Sequence, residues 1–223
     1  MASTTIDEVP RPPHSHHATD AWRILKYAQQ TARNLLETFD ERADLAAPGE
    51  EQQDLLRSMV VAAGAGLDAA TRALSRQALI HVLHGGDAQA AHHANEYMKG
   101  RLREQSAELT QLGAVFRSDP PRVSVHELIV QDMTSRDITA GRLRSVANQF
   151  APPFPVGPSD DPVAHQPIAD AIACRNAIVD EMDINPAGGG QQRFQRRREQ
   201  MVEYANALLG CGFAFVDHVD SKL

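Results

Sequence analysis

The stretch Met59–Ala73, MVVAAGAGLDAATRA, is built mainly from alanine, glycine and valine. Small side chains let helices approach one another closely, so this stretch predicts a buried helix at the centre of the fold. Acidic residues near position 50 suit the positive end of a helix dipole, and Gly85-Gly86 is a stop signal. We therefore predict one long helix over residues 50–83. Asp68 within it is interpreted as locally hydrogen-bonded or exposed, with a functional role as the alternative.

The C-terminal segment has apolar residues at spacings that alternate between three and four. That period is typical of a helix with one buried face, so we predict a helix over residues 193–219. Core packing or packing in a dimer explains this face better than a cofactor site does. The apolar positions are Phe194, Met201, Tyr204, Leu208, Cys211 and Phe215.

The rest of the chain also lacks the alternating pattern of a β-strand. Proline-rich sequence at 119–121 and at 151–167 indicates a break and a loop. The predicted fold class is therefore all-α, an up-and-down bundle of about six to seven helices. The further helices are expected at about 19–40, 87–112, 123–133, 137–150 and 168–182.

The N-terminal residues 1–18 are predicted to be a disordered tail, because prolines forbid a helix there and little is available to bury. His14, His16 and His17 are interpreted as part of this tail rather than as a metal site, since no cysteine or acid stands beside them at a ligand spacing. The single helical domain is then expected to span residues 19–223.

Composition restricts the classes of function. The formal net charge of −7 gives no global attraction to nucleic acid, so any RNA contact has to come from a local patch. No long uncharged apolar run and no secretory signal is present, so we expect no membrane association and a cytoplasmic location. Cys174 and Cys211 are expected to be reduced thiols, with a disulfide as the alternative.

The stretch Cys174–Asp183, CRNAIVDEMD, is the part of the sequence that carries candidate chemistry. On a continuous helix Asn176, Asp180 and Asp183 would share one face, with Arg175 beside them. An intrahelical hydrogen-bond network is one interpretation of this pattern. A metal site on Asn176, Asp180 and Asp183 is another, although no histidine supports it.

The same stretch resembles the signature of the HEPN superfamily, a group of all-helical nucleotide-binding domains that includes metal-independent ribonucleases. The Arg-Asn pair, the following IVDEMDINP segment, the Gly-rich turn and a long last helix are similar to HEPN proteins of the RiboL-PSP type. The small-residue helix with Gly66-Leu67-Asp68-Ala69 extends the resemblance to about residues 50–220. It implies a HEPN-type bundle and a homodimer that pairs the two motif helices.

The resemblance also implies roles for the motif residues. Arg175 would hold the scissile phosphate, Asn176 would orient it, and the third position would help the ribose 2′-hydroxyl to attack. The family has a histidine at this third position, where this chain has Asp180. Histidine can act as acid or base at neutral pH, whereas an ionised carboxylate can only accept a proton and repels phosphate. We therefore expect weak or absent ribonuclease activity, unless His165 or His218 takes that role.

Four arginines close to the motif are candidate RNA-binding residues, because guanidinium groups bind phosphates. A solvated helix face is the alternative interpretation. Their position at the start of the last helix opposes the helix dipole, which is unusual for purely structural residues. They are Arg193, Arg196, Arg197 and Arg198.

Two classes of function follow from the sequence. The first is a HEPN-like RNA-binding protein or metal-independent endoribonuclease of a toxin or phage-defence system, catalytically degenerate if Asp180 cannot replace histidine. The second is a non-catalytic, all-α homodimeric interaction module, antitoxin-like or a scaffold. RNA is the expected ligand in the first, and an antitoxin or defence protein is an expected partner. No cofactor is predicted.

Overall fold

A computed structural model of the chain describes residues 4–42, 48–83, 88, 92, 96, 99, 130–131, 140–150, 162–186 and 192–221. In these ranges the chain forms five helices and one isolated antiparallel bridge, which confirms the predicted all-α class. The helices predicted at 87–112 and 123–133 lie mostly outside the described residues. The helices are α1 (Thr19–Glu41), α2 (Glu50–Leu83), α3 (Ala140–Phe150), α4 (Pro162–Glu181) and α5 (Arg198–Asp220).

The bounds of α4 and α5 differ from those predicted. Helix α4 begins at Pro162, inside the segment predicted to be a loop, and contains Pro167. Proline is well tolerated at the first position of a helix, where its missing N–H would have no partner, so Pro162 does not oppose the start of α4. Helix α5 begins only at Arg198, because the preceding residue is extended, with φ −84° and ψ 133°.

Helix α2 is the centre of the bundle, as its small residues predict, and it packs against the other four helices. A Cβ atom on Gly66 would lie only 2.2 Å from the Cβ of Ala28 on α1. Real Cβ atoms never approach so closely, so glycine is required where these two helices meet. Asp68 forms an ion pair with Arg72 one turn later, which agrees with the local role predicted for it.

The prediction of a disordered N-terminal tail is wrong for residues 4–18. Ile6 and Ala18 are buried in the core. The backbone N–H groups of His14 and Ser15 donate hydrogen bonds to Asp220 at the end of α5, over 2.7 and 3.0 Å. The proline content correctly excluded a helix, but partners supplied by distant helices hold the segment in place. We call residues 4–18 the N-terminal strap.

Both cysteines are buried free thiols, as predicted. Burial raises the pKa of the Cys211 thiol to about 12, so this thiol stays protonated and unreactive. None of the described helices combines the length and the apolar character that crossing a bilayer needs.

Candidate functional site

The motif helix α4 ends at Glu181 in a left-handed turn. Met182 and Asp183 have φ values of 54° and 60°, and the Asp183 N–H donates to the carbonyl of Ala177 over 2.9 Å. This hydrogen bond reaches back six residues, one more than the longest hydrogen bond of a Schellman cap. Asp183 therefore leaves the helix, and the prediction that it shares one face with Asn176 and Asp180 is wrong.

Asp183 is instead the centre of a buried ion network. Its side chain is 0% exposed, and it lies between the guanidinium groups of Arg57 and Arg196. The Arg57 Nε donates to one carboxylate oxygen over 2.8 Å, and the Arg196 Nε donates to the same oxygen over 3.1 Å. The second oxygen accepts from Arg196 Nη2. Both oxygens are thus used, and the metal site proposed on Asn176, Asp180 and Asp183 does not form.

The charges in this network stabilise one another. Burial disfavours the ionised form of Asp183, but the hydrogen bonds and positive charges of Arg196 and Arg57 outweigh it, so the pKa of this carboxyl lies below its ordinary value. Burial also opposes the charge on Arg57, yet hydrogen bonds to Asp183, Asp54 and Glu50 raise its pKa. Asp183 and Arg57 are therefore ionised together at neutral pH.

The segment that precedes α5 is fixed to the first turns of α2. Gln53 donates to the carbonyl of Arg196 over 3.1 Å and accepts from its N–H over 2.7 Å. Arg57 Nη2 donates to the carbonyl of Phe194 over 2.8 Å. The side chain of Arg193 reaches Asp54 over 2.6 Å. These contacts hold the residues after the motif helix against the centre of the bundle.

Three of the four candidate RNA-binding arginines are engaged with acids inside the chain. Arg193 and Arg196 pair with Asp54 and Asp183 respectively. Arg198 makes a two-pronged contact with Asp40 at the end of α1, with N–O distances of 2.7 and 2.6 Å. These three arginines hold elements together, which explains why they are tolerated beside a helix N-terminus. The fourth, Arg197, is exposed and forms no ion pair with an acid in the described part of the chain.

The Arg-Asn pair of the motif lies on the partly exposed side of α4. The Arg175 Nη1 donates to Asn176 Oδ1 over 2.9 Å. The aliphatic part of Arg175 packs on α2, where a Cβ on Gly64 would lie 3.0 Å from Arg175 Cγ. Within the described ranges no acid forms an ion pair with Arg175, in contrast to Arg57 and Arg196. Its remaining N–H groups are therefore available to an anion.

Asp180 is exposed one turn after Asn176. No hydrogen bond between Asp180 and Asn176 is found among the described residues, so the intrahelical network predicted for this pair does not form. At the same end of α4, the apolar side chains of Val179 and Met182 are 43% and 63% exposed.

Of the two histidines suggested as a substitute, His218 does not lie at the motif within one chain. The Cys174 Sγ contacts the Met201 Sδ at 3.9 Å, which places the start of α5 beside the motif. His218 lies near the other end of α5, about 25 Å further along the helix axis at 1.5 Å per residue. The side chain of His165 lies outside the described residues.

Sequence analysis missed Arg57 and Gln53, which organise the site from α2. A signal for Arg57 was present, because it begins a series of positions spaced by three and four residues. An arginine on such a stripe is buried and needs acidic partners. The later members are all buried, and they are Val60, Gly64, Leu67, Thr71, Leu74 and Ala78.

Comparison of the chain with protein-family models, with curated proteins and with solved structures finds no match. The assignment of function therefore depends on the chemistry of these residues and on the resemblance of the motif.

Proposed function

We propose that this chain is a HEPN-like protein that binds RNA through Arg175 and Asn176 and cleaves it weakly or not at all. The observation that carries the proposal is the contrast between arginines. Arg57, Arg193, Arg196 and Arg198 pair with acids, whereas Arg175 contacts an amide and, like the exposed Arg197, has no acidic partner among the described residues. An unneutralised guanidinium on a partly exposed helix face is suited to a phosphate.

The environment of Asp180 supports binding without efficient cleavage. Its exposed carboxylate stands one turn from Asn176, at the position where the family has histidine. A carboxylate there adds negative charge beside the phosphate, whereas a histidine could serve as acid or base. General acid–base groups contribute a factor of about 10² to 10⁴ to the rate of a reaction. The loss of such a group at this position is therefore enough to abolish detectable cleavage.

A homodimer through α4 is part of this proposal. It would bring two copies of Arg175 to one cleft and would cover Val179 and Met182, whose apolar side chains are exposed. Replacing Met182 with Asp should then weaken the dimer in sedimentation experiments and weaken RNA binding with it.

The test is RNA binding and cleavage in EDTA, with labelled total RNA and tRNA as probes. Arg175→Ala should lower affinity about tenfold or more, because a charge-assisted hydrogen bond contributes about 1.5–3 kcal/mol. Arg23→Ala is the matched control, since it removes the same charge from an exposed pair on α1. Equal loss in both variants would show that only general electrostatic attraction is measured, and the proposal would be wrong.

Cleavage is tested with Asp180→His, which restores the residue type that the family has at this position. We expect this variant to cleave RNA faster than the parent by roughly 10² or more. A folded Asp180→His protein that binds RNA but shows no gain in cleavage would contradict the assigned role of this position.

The second candidate is the non-catalytic interaction module. The exposed apolar residues at the end of α4 and in the segment after it favour this candidate, because monomeric proteins rarely group such side chains without a partner. If it is right, no variant binds RNA, while Met182→Asp still weakens self-association. The exposed set is Val179, Met182, Ile184 and Phe194.

A further inference from the structure

The N-terminal strap is attached to the bundle at two places. At one end the Asp7 N–H donates to Asn206 Oδ1 over 3.1 Å, and Gln29 Nε2 donates to the carbonyl of Asp7 over 2.6 Å. At the other end Asp220 accepts the N–H groups of His14 and Ser15 and the hydroxyl of Ser15. The strap is thus held by polar contacts at both ends, in addition to the burial of Ile6 and Ala18.

Three histidine rings meet where the strap reaches the bundle. The ring centroids of His16 and His17 are 3.8 Å apart, and those of His17 and His81 are 4.7 Å apart. His16 and His17 belong to the strap, whereas His81 is in the last turn of α2. The stack therefore joins two elements through groups that become positively charged near neutral pH.

The surroundings of His17 oppose its protonation. Burial, then the neighbouring His16 and His81, lower the pKa of His17, and the carboxylate of Asp220 opposes this with a smaller effect. These are the titratable groups that face His17 from the strap, α2 and α5 in the described part of the chain. Docking of the strap is therefore favoured while the His17 ring is neutral and opposed when that ring is protonated.

We propose that the strap is a pH-dependent latch, docked on the bundle while His17 is neutral between the rings of His16 and His81 and released when His17 becomes charged. The undocked strap binds protons more readily than the docked one. The contribution of His17 to docking is therefore complete above about pH 6.5, its ordinary value, and is lost as the pH falls from there through the lower pKa that His17 has in the docked state.

Release of the strap has a defined structural consequence. A cavity of about 700 Å³ lies between strap residues and the bundle, and Trp22 and Phe213 form part of its wall. Pro10, Pro12 and Pro13 of the strap form another part of the wall. When the strap leaves, this apolar surface opens to solvent. Acidification should thus expose the part of this surface that the strap covers.

Hydrogen–deuterium exchange of the full chain at about pH 7.5 and about pH 5.5 tests the proposal, with rates corrected for the intrinsic effect of pH. Protection of the His14 and Ser15 amides should fall about fivefold or more at the lower pH. Two unit charges roughly 4 Å apart repel each other by about 1 kcal/mol in a water-like dielectric, and this energy changes the docking equilibrium about fivefold. Protection in the middle of α2 should not change.

Two variants separate the latch from general acid unfolding. His81→Gln and His17→Phe remove one charge each from the stack, and both should keep the strap protected at the lower pH. His14→Gln is the matched control, because this histidine is also on the strap but contacts Asp220 only through its backbone. It should retain the full pH dependence.

Either of two results would overturn the proposal. The first is equal protection of the strap amides in the parent protein at both pH values. The second is an undiminished pH effect in both stack variants. If one variant fails to fold, the other and the parent protein still decide between the outcomes.

Discussion

At the scale of single residues, Asp180 and Asp183 show how burial changes the role of a carboxylate. Asp180 is exposed at the end of α4. Asp183 is 0% exposed, stands in a left-handed turn and is held by two arginines, of which Arg57 is itself only 2% exposed. A buried ion pair adds little over an apolar pair, but removal of one partner leaves an uncompensated charge.

Asp183→Asn should therefore be strongly destabilising. We expect a loss of about 3–5 kcal/mol in the free energy of unfolding, because Arg57 and Arg196 would lose their shared counter-charge in the interior. Urea unfolding followed by circular dichroism measures this loss. Asp180→Asn is the matched control and should change the stability little, since its side chain is exposed. Similar losses in both variants would contradict the assigned difference in burial.

Lowering the pH should reduce the free energy of unfolding by protonating the same carboxyl group. The folded-state pKa of Asp183 lies below its ordinary value of 3.8, so its contribution to stability is present above that value and is lost as the pH falls from 3.8 through the folded-state pKa. The free energy of unfolding of the parent protein should fall more steeply below about pH 4 than that of Asp183→Asn. Parallel pH profiles would argue against this coupling.

At the scale of elements, the close contact between α1 and α2 depends on Gly66. The position has no room for a methyl group, since Ala28 lies directly opposite. Gly210, on the exposed side of α5, has nothing within 4 Å of the place where a Cβ would stand. Both glycines therefore lie inside a helix, but Gly66 is tightly packed against another helix whereas Gly210 has free space beside it.

Alanine at these two positions should have opposite effects on stability. Gly66→Ala should cost about 1–3 kcal/mol, because the added methyl group forces α1 and α2 apart. Gly210→Ala should raise stability by up to about 1 kcal/mol, because alanine is the better helix former. Thermal unfolding of both variants provides the comparison, and a stabilised Gly66→Ala protein would contradict the packing described.

At the scale of the whole molecule, Asp220 joins the two ends of the chain. Its carboxylate is nearly buried and accepts three hydrogen bonds from the strap. Asp220→Asn should cost about 1–3 kcal/mol, because one acceptor oxygen becomes an NH₂ group that faces a backbone donor. Hydrogen exchange should show lost protection at His14 and Ser15. Asp217→Asn, one turn earlier and exposed, should leave the strap protected.

Much of the fold could be predicted because it depends on local signals. The helical class and the bounds of α2 follow from small residues, terminal acids and the absence of an alternating pattern. The placement of the Arg-Asn pair on a helix was also predicted. The strap was not, since its proline-rich sequence lacks helical signals and its anchor Asp220 is about 200 residues away in the chain.

The sequence by itself determined the all-α class, the central position of α2 and the place of the motif on a helix. Only the tertiary structure decided which charges are buried and which remain available to a ligand. Arg57 meets Asp183 across 126 residues, and Gln53 meets Arg196 across 143. Helical periodicity indicates the face of the helix on which a side chain lies. Whether two charged side chains form an ion pair depends on the distance between them, and this distance is set only when the helices pack together.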